Sequence, residues 1–280
     1  MIDQETPPGT VNIGRISYIN VSPVYYGLDR NTKPAWLSMV TEPPAVLNRM
    51  LEQNNIVMSP VSSAAYAKNH DSWLLIPDVS ISSFGKVMSV ILASHYSLDD
   101  LHGRPIIFTE ESATAANLVR YILARRKVFP HIETRKITTP VNMADQADAV
   151  LVIGDAALTE NWQDSFEHVF DLGEIWNDMT GLPFVYAVWA IRRDYAQSCP
   201  RTLSLLKDLF LESKRLGDEH KDEIVLHASL KTGLTKERCR DYFQHLNCDF
   251  GPLHLKGLST FFDGLYVLGL IPEKVRIEMA

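Results

Sequence analysis

From Val11 to Ala190, short apolar runs end in loops bearing Ser, Asn or Asp and then pass into helical patterns. This alternation restricts the fold more than any other property of the chain. Strand followed by helix, repeated, calls for an α/β layer structure with strands running side by side in parallel. Val11 to Ile16 reads as the first buried strand, with Gly14 permitting close approach of a neighbouring backbone. It breaks into Ser17-Tyr18-Ile19-Asn20-Val21-Ser22. In an open α/β sheet such a loop leaves the carboxyl edge, where ligands bind.

Further along, Pro43 to Gln53 is expected to be helical, with prolines in its first turn where the missing N–H costs nothing. Ile56 to Met58 is a short strand, and Ser62 and Ser63 can cap a helix from about Ala64 to Asn69. Leu74 to Pro77 and Met88 to Ala93 are strands, with Ser80 to Lys86 a polar turn between them. The pattern restarts near Ser94: Pro105 to Phe108 is a strand, Ala113 to Arg126 a helix capped by Ser112, and Ala149 to Ile153 a strand ending at Gly154-Asp155. Gly181 to Ala190 is the last strand, and after Pro200 helices are expected over 201–216, 219–231, 235–246 and 255–268. The restart and the return imply two lobes, one of residues 1–93 and 191–280 and one of residues 94–190 inserted into it.

At 280 residues the chain can bury a large core. Its formal charge of −7 gives no sequence-wide electrostatic case for nucleic acid. No run approaches the roughly 18 apolar residues a membrane span needs. The first ten residues have no basic region and no apolar stretch, so no export leader is expected there. Three cysteines without CxxC spacing fit a reduced, cytoplasmic protein.

The chemistry is expected in the loops. Ser62/Ser63 and Ser112/Thr114 lie at helix N-termini, where free N–H groups and the helix dipole attract carboxylate or phosphate. Plain capping is the other reading of each pair. Two such sites facing one cleft would hold a small ligand with two acidic groups. Asp155 either caps the helix after it or hydrogen-bonds a ligand hydroxyl. No GxGxxG or GxxxxGK[ST] motif supports nucleotide binding. The nine histidines are scattered; His220 and His227 lie seven apart with no third ligand, so no metal is expected. Cys239 and Cys248 read as packing residues, Tyr25, Tyr26 and Trp189 as core, and Arg192-Arg193 as a solvated hinge edge or an anion-steering pair.

Six segments share a likeness to one family: GRISYIN-x-x-P-x-x-YGL at 14–28, SPVSSAAYA at 59–67, SISS-x-GKVMSV at 80–90, ESATAANL at 111–118, IGDAAL at 153–158, and DLG-x-x-W…TGLPFVYAVWA at 171–190. Together they resemble the chorismate dehydratase (MqnA) family of the futalosine route to menaquinone, over about residues 11–270 and in the same order. The later naphthoate synthase of that route shares the fold, but its first loop is His- and Asp-rich, which the Asn20 loop is not. One departure is Val57, where relatives often carry an acid.

The resemblance implies a two-lobed fold like the type II periplasmic binding proteins, with the ligand between lobes. It implies that chorismate loses water to give 3-[(1-carboxyvinyl)oxy]benzoate, driven by aromatisation and without a cofactor. By resemblance Asn20 stands closest to the chemistry, as a hydrogen-bonding and positioning group, since an amide is a poor base. A substrate carboxylate, water or another side chain remains open as the base. Ser89, with Ser62 and Ser63, is expected at one carboxylate and Ser112, with Thr114, at the other; Ser17 and Ala113 are expected among the substrate contacts, and Asp155 at the departing hydroxyl. A solute-binding protein without catalysis, and the related naphthoate synthase, are the alternatives.

Overall fold

In the computed structural model, which describes residues 7, 9–110 and 113–280, two mixed sheets carry the chain. The first half of the path runs β1 (Val11–Arg15), α1 (Ser22–Gly27), β2 (Leu37–Thr41), α2 (Pro44–Glu52), β3 (Met58–Ser62), α3 (Ser63–Asn69) and β4 (Trp73–Ser83). The middle runs β5 (Val90–Ser94), β6 (Pro105–Thr109), α4 (Ala113–Arg125), β7 (His131–Arg135), α5 (Pro140–Ala144), β8 (Ala149–Ile153), α6 (Asp155–Thr159), β9 (His168–Asp171) and α7 (Leu172–Thr180). The chain closes with β10 (Phe184–Arg192), α8 (Arg193–Ser198), α9 (Pro200–Glu219), α10 (Lys221–Thr232), α11 (Lys236–His245), β11 (Leu246–Asn247) and α12 (Pro252–Val267).

The first sheet has the order β11-β4-β10-β3-β1-β2 and the second β7-β6-β8-β5-β9. β1 lies parallel to β2 and β3, so the loop after Arg15 does leave the carboxyl edge of a parallel segment. Sheet membership moves the expected lobe boundaries. β5 pairs with β8 and β9 in the second sheet, although a split at 93/94 assigns it to the first lobe. β10 lies between β3 and β4 in the first sheet, although a split at 190/191 assigns it to the second. An apolar run buried on both faces looks the same whichever sheet accepts it, so its pattern carries no information about its partner.

Two polar segments outside the expected strands, one of them read as a turn, are strand. Residues 59–62 complete β3, and Ser80–Ser83 extend β4. The serines tolerate burial there because distant acceptors satisfy them. Ser80 Oγ donates to Asp249 O at 2.5 Å and Ser82 Oγ to Asn247 O at 3.2 Å. Those partners are more than 160 residues away in sequence.

Each crossing between sheets is fixed by one carboxylate. Asp171, at the start of α7, accepts from the backbone N–H groups of Val87, Met88, Gly173 and Glu174 at 2.6–3.2 Å. The first two belong to the outgoing connection and the last two to the return. Aromatic packing adds to the seam: Trp176 of α7 meets Tyr121 of α4, Phe184 of β10 and Phe261 of α12 with ring centroids 5.2–5.9 Å apart. Such pairs contribute about 0.5–1.5 kcal/mol each beyond the area they bury. The end of the chain lies beside β4, where Leu75 N donates to Glu278 O and Ala280 N to Leu75 O.

Candidate functional site

Gly14 has no room for a side chain: a Cβ would stand 2.9 Å from Ser59 Cβ and 3.0 Å from Leu47 Cδ2. Tyr25, buried in α1, donates to Gly14 O at 2.9 Å. With β1 thus seated, the chain passes Ser17 and Tyr18 and tightens into one 3-10 turn, Ile19–Val21, whose two apolar residues are buried. Asn20 lies between them. Its Oδ1 is sealed from solvent without a hydrogen-bond partner, a condition shared among the described side chains only by Asn48 Oδ1. An acceptor left in that state costs about 1–3 kcal/mol.

The second lobe meets this turn. Ile19 belongs to one apolar cluster with Met88 and Leu158, covered by Val225 and Ala228 of α10 and Cys239 and Tyr242 of α11. Gly154 N donates to Ser89 O at 2.8 Å. Gly154 itself has φ +66 and ψ −142, a conformation open almost only to glycine, and a Cβ there would stand 4.0 Å from the Tyr18 ring. Met88, next to Ser89, also has a positive φ of 65.

Asp155 opens α6 but makes no capping bond, so the first of its two readings is not what the side chain does. Burial raises its carboxyl pKa, and the nearby Lys231 ammonium opposes that rise. Lys231 reaches over from α10 and donates from Nζ to Ser17 O. Sequence reasoning missed this residue, because a lone exposed lysine on a helix carries no signal. Tyr242 was missed as well; burial holds its hydroxyl protonated, and the Ser89 hydroxyl bonds to it. Ser17, Asn20, Ser89, Asp155 and Lys231 therefore gather around one seam between lobes.

A second gathering joins the starts of α3 and α4. Ser62 caps α3, its Oγ accepting from Ala65 N at 3.2 Å. Thr114 Oγ1 accepts from Ala64 N at 2.9 Å, across the lobes. Ser63 is fully buried and donates to Val185 O at 2.6 Å. The expectation of two open anion sites is revised at α3: two N–H groups of its first turn are taken, and the Ser63 proton is committed to the sheet. Ala113 is exposed at the first position of α4, and Ser112 lies outside the described residues.

The remaining candidates are structural. Trp189 Nε1 donates to Tyr25 Oη at 3.2 Å within the core. Arg192 pairs with Asp194, and Arg193 with Glu278, so neither steers a ligand. His220 stacks on Tyr26 with ring centroids 5.0 Å apart. A cavity of about 560 Å³ opens on the outer side of α9, α10 and α11, lined by Lys214, Lys221, Arg240 and Cys248 among others. None of the residues expected at the site lines it.

Comparison with known proteins agrees with this architecture. The family model described as menaquinone biosynthesis matches residues 11–266. The chorismate dehydratase of Thermus thermophilus is 33% identical over 268 residues, 90% of this chain and 94% of that protein. The 1,4-dihydroxy-6-naphtoate synthase of the same organism is 25% identical over 64% of this chain and 65% of that protein. Among solved structures, a protein of Archaeoglobus fulgidus superposes with a TM-score of 0.74 at 18% identity, covering 95% of this chain and 100% of that one. The periplasmic aliphatic sulphonate binding protein of Escherichia coli superposes with a TM-score of 0.66 at 18% identity, covering 96% and 90%. The two-lobed α/β fold is thus that of periplasmic binding proteins, and no helix among the described residues is long and apolar enough to cross a membrane. With the match spanning most of its length, this chain belongs to the menaquinone biosynthesis family.

Proposed function

We propose that the chain is a chorismate dehydratase, a hydro-lyase that converts chorismate to 3-[(1-carboxyvinyl)oxy]benzoate and water. The observation that carries the reading to chemistry is the unpartnered Oδ1 of Asn20. An amide oxygen only accepts hydrogen bonds. Chorismate has two carboxylates, which are ionised near neutrality, and one ring hydroxyl. That hydroxyl is the donor such an acceptor requires, and it is also the leaving group. Asn20 then gains its missing partner when substrate binds, and holds the bond to be broken in a fixed direction.

Asp155 supplies the proton. Desolvation favours its neutral form, which can donate to the hydroxyl oxygen as the C–O bond breaks. The ring carbon that carries the enol-ether oxygen loses its proton to a base, the hydroxyl on the neighbouring carbon leaves as water with the Asp155 proton, and the ring becomes aromatic. Exchange with solvent restores both groups. Ser62 offers its hydroxyl proton, and Ser89 the hydroxyl it shares with Tyr242, to one carboxylate, with Lys231 supplying positive charge. The backbone N–H groups that open α4 at Ala113 take the other. The three cysteines are unpaired, which suits a reducing compartment such as the cytoplasm.

Incubating the purified protein with chorismate and following the enolpyruvyl benzoate by its aromatic absorbance tests the reading. Product formation without added cofactor is expected. Chorismate bound but unchanged would instead make the chain a solute-binding protein.

A further inference from the structure

On the outer side of the first lobe, away from the seam, the turn joining α3 to β4 meets the segment after α12. His70, Asp71 and Glu273 offer one ring nitrogen and two carboxylate oxygens, all within 4.8 Å of one another. Asp71 and Glu273 are exposed, whereas His70 is 4% exposed. Its ring makes no hydrogen bond among the described residues, and its nitrogens are not among the sealed side-chain atoms. A histidine ring held in packing with its nitrogens unpartnered and facing two acids is positioned as a ligand rather than as a core residue.

The backbone beneath the cluster is fixed. Arg193 donates from Nε to Asp71 O at 2.8 Å and from Nη2 to His70 O at 3.3 Å, while its Nη1 holds Glu278 at 2.8 Å. One guanidinium therefore ties the turn to the terminal segment. Asp71 Oδ1 has one competitor, Arg276 at 3.1 Å, in a solvated ion pair of the kind that contributes little. Its second oxygen and Glu273 are left for a cation, and both carboxylates can rotate inward.

We propose that His70, Asp71 and Glu273 form a binding site for a divalent transition metal of the zinc class. One imidazole with two carboxylates is a borderline donor set that suits Zn²⁺, Co²⁺ or Ni²⁺ better than the all-oxygen preference of Ca²⁺ or Mg²⁺. Three protein ligands leave a position for water. The ligands come from segments about 200 residues apart, and a bound ion would clip residues 269–280 to the α3–β4 turn. The site is structural, because none of the residues at the Asn20 seam belongs to it.

The test uses the full chain without a histidine tag, stripped with chelator and titrated with Zn²⁺ against a chromogenic competitor. One equivalent should bind, and the melting temperature should rise with it. Loss of a ligand costs no less than loss of a supporting partner, so Asp71→Asn and Glu273→Gln should each weaken Zn²⁺ at least about tenfold, and His70→Gln more. The first two positions are exposed, so those variants keep their fold even if His70→Gln does not. Chorismate turnover should be the same before and after chelation. Zn²⁺ bound equally by wild type and the two carboxylate variants would place the ion on other histidines and overturn the site, as would a wild-type chain that retains none.

Discussion

At the α3–α4 contact the polar groups answer one another: Ser62 caps Ala65 N, Thr114 accepts from Ala64 N, and Ser63 donates to Val185 O. At the Asn20 turn they do not. Asn20 Oδ1 is sealed without a partner, Asp155 has lost solvent without gaining a cap, and Met88 beside Ser89 has a strained backbone. Both regions lie where the lobes meet, and both were expected to bind substrate. The first holds the lobes together; the second stores unsatisfied capacity, as a folded chain does where a ligand will complete it. Substitutions in the second region should therefore cost turnover, and substitutions in the first should cost stability.

The largest effect is expected at Asn20. Asn20→Ala should lower kcat about 10²–10³-fold, the range seen when one preorganised partner of a reacting oxygen is removed. Chorismate affinity should change far less, because the carboxylates are held elsewhere. Equilibrium binding measured beside steady-state turnover separates the two. Stability should rise slightly, since the variant no longer buries an orphan acceptor. A variant with normal turnover would remove Asn20 from the mechanism and erase the contrast between the regions.

Asp155 sharpens the same contrast through pH. Its carboxyl pKa is raised by burial, so the protonated donor is lost as pH rises through that elevated value, and kcat should fall with it. Asp155→Asn should lower kcat about 10²-fold and abolish that limb of the profile. Stability follows the same sign. A carboxyl whose folded pKa is raised contributes fully below its unfolded value and loses that contribution as pH rises through the folded one. Asp155→Asn should thus be the more stable protein near neutrality, with the difference vanishing in acid. A limb that survives the substitution would belong to another group.

What could be read beforehand divides along physical lines. The β1 strand, the Asn20 loop, the α4 helix and the β8 strand were legible because apolar periodicity and capping residues are local signals. The strand character of Ser80–Ser83 was not, because it depends on acceptors at Asn247 and Asp249 that only folding supplies. Lobe membership of β5 and β10 was hidden for the same reason. Within the site, its residue type at a strand-end loop singled out Asp155, whereas Asn20 stood among several polar residues of its loop and was picked out by the family resemblance. Lys231 and Tyr242 stand on helices far along the chain, and Asp171 was visible only as part of a DLG motif, with no hint that four amides converge on it.

Thr114 tests the other half of the comparison. Thr114→Val keeps the shape but removes the acceptor of Ala64 N, leaving a buried amide unpaired at a cost of about 1–3 kcal/mol. Urea denaturation should show that loss, while turnover at saturating chorismate stays within a few-fold of wild type. Unchanged stability with collapsed affinity would convert this contact from a lobe-to-lobe bond into a substrate site.

The smallest effect is expected at Ser62, and it is the most discriminating. As the cap of α3 its replacement by Ala should cost about 1 kcal/mol, the usual value for an N-cap oxygen. Ser62 is only half-buried, and its hydroxyl proton is free while its oxygen accepts from Ala65 N. Ser62→Asn restores an accepting oxygen at the cap without restoring that hydroxyl. Full recovery of stability in Ser62→Asn, with KM for chorismate still raised, would show one side chain serving both regions: its oxygen the helix and its proton the substrate. Recovery of both together would confine Ser62 to the helix and leave Ser89 and Lys231 as the partners of that carboxylate.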